Sequence, residues 1–249
     1  MKKKQAALIF IFITVLIDII GIGLIIPVVP ALIKEITGLS TSEASFFGGM
    51  LAATYAIVQF FAAPILGGLS DQYGRRPLLL ASLIGLGLDY IVIVFAPSLI
   101  WLFIARMISG LFGGSVTVAN AYIADISTPE NRAKNFGMIG AAFGLGFVIG
   151  PSIGGILGEL GTRVPFMAAA GLSLLNATYG FFVVPESLAT ENRRPFTWKR
   201  ANPFGTLKRI LSHKKIVWLV VALFVIYVAA MPLMQIGHFL RLKNSDGQN

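Results

Sequence analysis

Seven long apolar runs divide the 249-residue chain, and they restrict its fold more than any other feature. Each run is close to the ~20 residues that an α-helix needs to cross a bilayer. Because a backbone in lipid must satisfy its hydrogen bonds within its own segment, such runs predict transmembrane helices. The predicted fold is all-α and polytopic, with spans at 6–26, 46–69, 78–95, 99–124, 136–157, 166–184 and 216–240.

Composition and the placement of charge agree with a membrane protein. The chain is 56% hydrophobic and 12% charged, and its net charge of +9 comes from lysines and arginines that lie in loops. We therefore expect a lipid bilayer as the main partner and no nucleic acid. The basic residues concentrate before the first span and in alternate loops, which predicts a cytoplasmic N-terminus, a cytoplasmic loop at 185–215 and an external tail at 241–249.

An internal repeat relates the first three spans to the next three. A shift of 87 or 88 residues brings Pro64 and Gly67-Gly68 onto Pro151 and Gly154-Gly155, and Asp18 onto Arg106. Because three is odd, the second triplet crosses the membrane in the opposite sense. Inverted repeats of this kind are typical of secondary transporters, whose sites lie near the bilayer midplane. The sequence thus predicts a six-helix bundle at 1–184 with inverted 3+3 symmetry, followed by a seventh helix.

A short polar segment, residues 67–77, joins the second and third spans, and we call it the hinge. Gly67 and Gly68 predict close helix contact, and Gly74 can adopt the positive φ of a tight turn. Arg75 and Arg76 favour the cytoplasmic side.

Three ionisable residues interrupt the spans: Asp18, Asp89 and Arg106. Each costs roughly 2.5–3.5 kcal/mol at membrane depth on insertion scales, so such residues usually face a cavity, pair with one another or carry protons. The repeat makes an Asp18–Arg106 pair geometrically reasonable, and a purely structural pair is the alternative. Gln59, Asn120 and Asn176 are uncharged, and they suit ligand contact and interhelical hydrogen bonding equally well.

The fifth span is rich in small residues at helical spacing. Glycines four apart line one helix face and permit close approach, and a proline removes one backbone hydrogen bond and permits a bend. The pattern predicts a tight pivot against a neighbouring helix, made by Gly137, Gly146, Gly150, Pro151, Gly154 and Gly155.

These motifs together resemble the major facilitator superfamily, and are similar to its drug:proton antiporters of the tetracycline-efflux type. Gly67-x-x-x-Asp71-x-x-Gly74-Arg75-Arg76 resembles the signature loop between helices two and three. Arg106-x-x-x-Gly110 resembles the helix-four arginine motif, and 137–155 the exporter motif of helix five. The resemblance covers the chain from about Lys3 to Pro232. Gln72 departs from it, since the family usually has a basic residue there.

The resemblance implies proton-coupled efflux of a tetracycline-like drug by alternating access, in a bacterial-type inner membrane. By resemblance, Asp18, Asp89 and Arg106 serve coupling or substrate, and Gln59 and Asn176 line the drug cavity. Asp71, Arg75 and Asp125 form a gate network, and Arg132 matches a charged loop beside it. No cofactor is implied beyond protons as the coupling ion, although the substrate can be a metal–drug chelate.

The family has twelve helices and this sequence predicts seven. We therefore expect a chain truncated relative to the family, one that needs a C-terminal half for transport and does not transport alone. Other readings stay open: a non-functional fragment of such an antiporter, or a transporter of another small solute. A seven-span receptor lacks a midplane lysine. An enzyme is not expected, because His213 and His238 lie far from the carboxylates and suggest neither catalysis nor a metal site.

Overall fold

The computed structural model describes residues 2–205, 211–213, 218–219 and 221–222, with side chains from Ala7 onward. The chain divides into two units, residues 1–202 and 203–249. The first unit is helical, apart from loops and one 3-10 turn at Thr190–Asn192. Its α-helices are α1 (Lys2–Ile25), α2 (Val29–Thr37), α3 (Thr41–Tyr73), α4 (Arg75–Val94), α5 (Leu99–Phe112), α6 (Ser115–Ile126), α7 (Arg132–Glu159) and α8 (Val164–Val183).

Six segments of the described chain are long and apolar enough to span a membrane: Ala7–Ile25, Thr41–Tyr73, Arg75–Val94, Leu99–Ile126, Arg132–Glu159 and Val164–Val183. They match the first six predicted spans, with several ends extended by a few residues. Of the predicted seventh span, Trp218, Leu219, Val221 and Ala222 are helical, while the rest of it and the 241–249 tail lie outside the described residues.

Two local features differ from the sequence expectation. The loop predicted after the first span contains α2, which has Pro30 in its first turn, where a missing N–H costs nothing, and ends at Gly38 with φ +71°. The fourth span is two helices rather than one, because the chain breaks at Gly113 and Gly114 between α5 and α6. A Ser40–Glu43 capping box then starts α3 by satisfying backbone donors at its N-terminus.

Helix packing in the bundle follows the predicted repeat. The first span packs on the fifth (α1 on α7), the fourth on the second (α5 on α3), and the third on the sixth (α4 on α8). Exchanging the two triplets leaves this set of pairs unchanged, as a two-fold axis in the membrane plane requires. Close contacts repeat as well: Gly23 meets the α7 backbone and Gly110, which lies 87 positions later, meets Tyr55 and Val58 of α3.

At the end of the bundle opposite the hinge, Arg163 joins three connections. Its Nε donates to Glu35 Oε1 at 3.2 Å, and its other nitrogens donate to the carbonyls of Val94 and Ala96. The hydroxyl of Thr162 also donates to Glu35. That hydrogen bond, with a smaller contribution from Arg163, lowers the pKa of Glu35 below its usual 4.5. Polar contacts therefore tie α2 to the loops before α5 and α8.

Candidate functional site

A cavity of about 520 Å³ lies inside the six-span bundle. Such a volume falls in the range of small-molecule sites, which are mostly apolar with a few placed polar groups. Five aromatic side chains contribute to the lining: Tyr55, Tyr90, Phe143, Phe147 and Phe166. The remaining polar lining comes from four helices, α1, α3, α5 and α6, and consists of Asp18, Gln59, Arg106, Ser109, Ser115 and Thr117.

Asp18 of α1 is almost fully buried, with 6% of its surface exposed, and it faces this cavity. The hydroxyl of Ser115, the first residue of α6, donates to its Oδ2. The expected pairing of Asp18 with Arg106 is not what the structure shows, because Arg106 bonds a different carboxylate. Positions related by the repeat are equivalent under the two-fold axis, and equivalence does not require contact.

Asp89 of α4 is the carboxylate that Arg106 of α5 binds, with Nη2 to Oδ2 at 2.8 Å. The Asp89 side chain is 0% exposed and that of Arg106 is 16% exposed. Oδ1 of Asp89 has no hydrogen-bond partner among the described residues. Arg106 lines the cavity and Asp89 does not, so the guanidinium of Arg106 lies between the cavity and the Asp89 carboxylate.

Gln59 of α3 binds the break in the fourth span. Its Nε2 donates to the carbonyl of Gly113 at 2.8 Å, which satisfies a backbone acceptor left free where α5 ends. The same break places Ser115 at the start of α6, next to Asp18. No sequence pattern predicted Ser115 as a partner of Asp18, although the glycine pair before it marks a helix break.

Asn176 and Asn120 lie outside the lining of this cavity. Asn176 is buried and exchanges hydrogen bonds with Thr14 of α1, accepting from its hydroxyl at 3.3 Å and donating to its carbonyl at 3.2 Å. The structure therefore places Asn176 between α1 and α8 as an interhelical contact, which differs from the drug-lining role that the resemblance implies. Asn120 is half-buried on α6.

The three residues predicted to form a gate network, Asp71, Arg75 and Asp125, are in contact at the hinge. Gly74 has φ +104°, which permits the abrupt change from α3 to α4. Arg75 then donates to Asp71 at 2.6 Å and to Asp125 of α6 at 3.0 Å. Arg75 also donates to Ser70 at 2.7 Å, so one guanidinium joins the ends of α3, α4 and α6.

The other residues predicted at or near the hinge have contacts that differ from the sequence expectation. A Cβ on Gly67 would meet nothing within 4 Å, whereas one on Gly68 would meet the ring of Phe196. The predicted helix-to-helix contact at these glycines is therefore a contact with the segment after α8. Arg76 donates to the carbonyl of Phe181 and lies over its ring. Arg132 is exposed at the start of α7.

Glu186 binds the hinge, although the sequence did not predict it as a partner. Its two carboxylate oxygens accept from the backbone N–H groups of Arg75 and Arg76, at 2.8 and 3.2 Å. It thus caps α4 from more than 100 residues away and places negative charge at a helix N-terminus. Its position after Pro185, at the hinge end of the sixth span, was a signal that could have found it.

The helix-five glycines form one contact face and one open face. Gly146, Gly150 and Gly154 meet Ile19, Gly23 and Leu24 of α1, and Pro151 also meets Gly23. Gly137 and Gly155 would accept a Cβ with nothing within 4 Å. The glycines spaced by four and Pro151 therefore make the close contact between α7 and α1 that the sequence predicted, and their use as a pivot stays a prediction.

A bundle of six spans with buried charges around a central cavity defines a polytopic helical membrane protein of the transporter class. A match to the model of the Major Facilitator Superfamily extends over residues 11–244. The chain belongs to this superfamily.

Similar proteins include tetracycline and multidrug resistance proteins. The chain is 46% identical over 206 residues to the class C tetracycline resistance protein of Escherichia coli, covering 83% of this chain and 51% of that protein. It is 32% identical to multidrug resistance protein 2 of Bacillus subtilis (strain 168), covering 84% and 52%. The crystal structure of the human organic anion transporter MFSD10 (TETRAN) matches with a TM-score of 0.68 at 25% identity, over 77% of this chain and 50% of that one.

The chain thus spans about half the length of the relatives that it matches. Within the described residues, no group of three or more His, Asp or Glu side chains could hold a metal ion.

Proposed function

We propose that the six-helix bundle supplies one half of the path of a proton-coupled exporter of tetracycline-like drugs, and that transport needs a second half. The observation that carries the proposal is the set of two buried carboxylates at the cavity, Asp18 and Asp89, in a chain 46% identical to a tetracycline resistance protein. Ionisable groups at membrane depth are costly and typically mark proton or substrate paths.

The two carboxylates have different partners, and this suits two different tasks. Asp89 is paired with Arg106. When Asp89 takes up a proton it loses its negative charge, and the Arg106 guanidinium can then bind an anionic group of the substrate instead. Asp18 has a neutral hydroxyl partner and lies directly on the cavity, where it can meet a cation or a proton. The proposed cycle couples the two because Asp18 lines the cavity and Arg106, which binds Asp89, lines the same cavity.

The drug-binding part of the proposal uses the shape of the lining. Tyr90, Phe143, Phe147 and Phe166 offer ring faces to a flat polycyclic molecule, and Gln59 and Arg106 offer hydrogen-bond donors at its edge. A drug that arrives as a chelate brings its own cation, and the Asp18 carboxylate is the group that would face it. The expected orientation, with the N-terminus and hinge in the cytoplasm, puts the Arg75 network at the inner end of this path.

The test is complementation in an efflux-deleted bacterial host. The chain is expressed alone, or together with the second half of the class C relative, and growth on tetracycline and energised tetracycline exit are measured. We expect resistance from the pair and none from the chain alone. The pair with Arg106→Ala is the control. Resistance from the chain alone would contradict the need for a second half, and resistance that survives Arg106→Ala would contradict the role of that residue.

A broader substrate range is the second candidate, favoured by the 32% identity to a multidrug resistance protein. The same pair of halves is tested with a cationic dye beside tetracycline. Exit of the dye at a comparable rate would favour the multidrug alternative.

A further inference from the structure

Residues 185–198 follow α8 and run across the hinge end of the bundle. Their first part binds α6 and α4. The hydroxyl of Tyr122 donates to the carbonyl of Pro185 at 2.8 Å, and that of Ser187 donates to Asp125 at 3.1 Å. Glu186 accepts from the first two N–H groups of α4 and also from the N–H groups of Ser187 and Leu188, which fixes its own turn.

The second part of the segment binds the last turns of α3. The N–H of Arg194 donates to the carbonyl of Asp71 at 3.0 Å, and the N–H of Phe196 donates to Gln72 Oε1 at 2.7 Å. The Phe196 ring covers Gly68, since a Cβ on that glycine would lie 3.0 Å from Cδ2 of the ring. Any side chain larger than hydrogen at position 68 would push the ring away.

Gln72 has a specific part in this contact. Its side-chain oxygen accepts a hydrogen bond from the backbone of the segment, and a lysine or arginine at this position could only donate. The neutral amide that departs from the resemblance at position 72 is therefore matched to the N–H of Phe196.

We propose that residues 185–198 form a strap that clamps the last turns of α3 to α4 and α6, and that the hinge moves only when the strap releases α3. Direct covalent connection between α3 and α4 is a single glycine, Gly74, whose conformation alone sets little resistance to bending. With one end of the strap fixed on α6 and α4, a shift of α3 must break the contacts of Phe196. The strap does not depend on which substrate the cavity takes.

A disulfide tests whether the strap lies where the structure places it. The chain has no cysteine, so two introduced thiols report without background. Gly68→Cys with Phe196→Cys places two thiols at positions that face one another, because a Cβ on Gly68 would meet the Phe196 ring. The backbone hydrogen bonds from Arg194 and from residue 196 to α3 remain in this variant, and a disulfide reports that the two Cβ atoms come within about 3.5–4.5 Å. The matched control is Gly67→Cys with Phe196→Cys, because a Cβ on Gly67 meets nothing within 4 Å.

Both pairs are reconstituted in nanodiscs, treated with oxidant and assayed for free thiols with a maleimide reagent. We expect the 68/196 pair to lose its thiols at least about tenfold faster than the 67/196 pair. Equal rates for the two pairs, or no oxidation of either, would overturn the docked strap.

Hydrogen exchange tests whether the strap holds the hinge. The readout is the set of amides of Gly74, Arg75 and Arg76, which bond to Ser70 and to Glu186. Gln72→Lys and Phe196→Ala should speed their exchange roughly five- to tenfold, the change expected for the loss of one net hydrogen bond or a comparable contact. Gln72→Glu keeps an acceptor oxygen and should leave exchange near that of the parent chain.

Thr197→Ala is the control substitution in the strap, since this side chain is exposed. If Gln72→Lys and Phe196→Ala leave the three hinge amides unchanged, the strap does not clamp the hinge. If they speed exchange equally throughout α1 and α7, the effect is global unfolding and the proposal is wrong as well.

Discussion

Gly23 of α1 and Gly150 of α7 meet backbone to backbone: a Cβ on Gly23 would lie 2.9 Å from Cα of Gly150. Gly154 continues this contact one turn along α7, against the carbonyl of Leu24. In lipid, where apolar surface gives little drive for helix association, such close approach allows the dispersion contacts that hold two spans together. Gly23, Gly150 and Gly154 thus bring the backbones of the first and fifth spans into direct contact.

Adding a methyl group at this contact should destabilise the bundle. We expect Gly150→Ala to lower the free energy of unfolding by about 1–3 kcal/mol, the usual cost of overpacking. Gly155→Ala, on the open face of the same helix, is the control and should be neutral or slightly stabilising. Denaturant unfolding in mixed micelles measures both. Equal losses for the two variants would show that the α1 contact does not set the effect.

The Asp89–Arg106 pair should show strong coupling, because the Asp89 side chain is fully buried and that of Arg106 is only 16% exposed. Arg106→Gln leaves Asp89 without its cation and should cost about 3–5 kcal/mol. Asp89→Asn with Arg106→Gln removes both charges and should cost much less than the sum of the single changes. A double-mutant cycle of unfolding free energies measures the difference.

The exposed Arg163–Glu35 pair provides the matched comparison for that cycle. Its two side chains are 31% and 46% exposed, so its coupling energy should be about 0–1 kcal/mol. Additive single changes at Asp89 and Arg106 would contradict a paired role for them.

Glu35 should give the chain a weak acid dependence. The hydrogen bond from Thr162 and the neighbouring Arg163 lower its pKa below 4.5 in the folded state. The unfolded chain therefore binds a proton more readily, and the stability contribution of Glu35 is present above pH 4.5 and lost as the pH falls below it. The pH-dependent change in stability should be small because the Glu35 side chain is largely exposed. Melting temperatures of the parent chain and of Glu35→Gln, measured between pH 3 and 6, should converge at the acid end; parallel curves would contradict the shift.

Glu186 should stabilise the hinge by capping α4. Glu186→Ala leaves two N–H groups of α4 without their acceptor and should cost about 0.5–2 kcal/mol. Glu186→Gln keeps one acceptor oxygen, so its stability should lie between that of the parent chain and that of Glu186→Ala. Glu191→Ala, at an exposed glutamate of the 3-10 turn, is the control. A comparable loss from Glu191→Ala would mean that net charge, and not capping, explains the effect.

Much of the fold follows from the sequence because bilayer thickness fixes helix length. The six described spans fall where the apolar runs predict them, and the pairing of the spans is symmetric under the predicted repeat. The positive φ of Gly74 follows from the shortness of the turn. Residues 71, 75 and 125 were expected together from the resemblance, and their side chains are in contact.

The remaining features of the fold and the site depend on contacts between residues far apart in the sequence, which no local pattern predicts. The choice of Asp89 by Arg106 reflects the contact between α4 and α5, whereas the repeat related Arg106 to Asp18. Glu186 was missed because its partners lie more than 100 residues earlier, and α2 was missed because nine residues with a proline and a following glycine read as a loop. Asn176 reads equally well as a cavity residue or an interhelical contact until the position of Thr14 is known.

The break at Gly113 and Gly114 divides the fourth span into two short rods with a joint between them. Arg106, which binds Asp89 of α4, lies on α5, before the break. Ser115, which binds Asp18 of α1, lies on α6, after it. A displacement of one rod need not carry the other with it. The partners of the two carboxylates can therefore move independently, and Gln59, which binds the carbonyl of Gly113, is the side chain placed to stiffen or free the break between them.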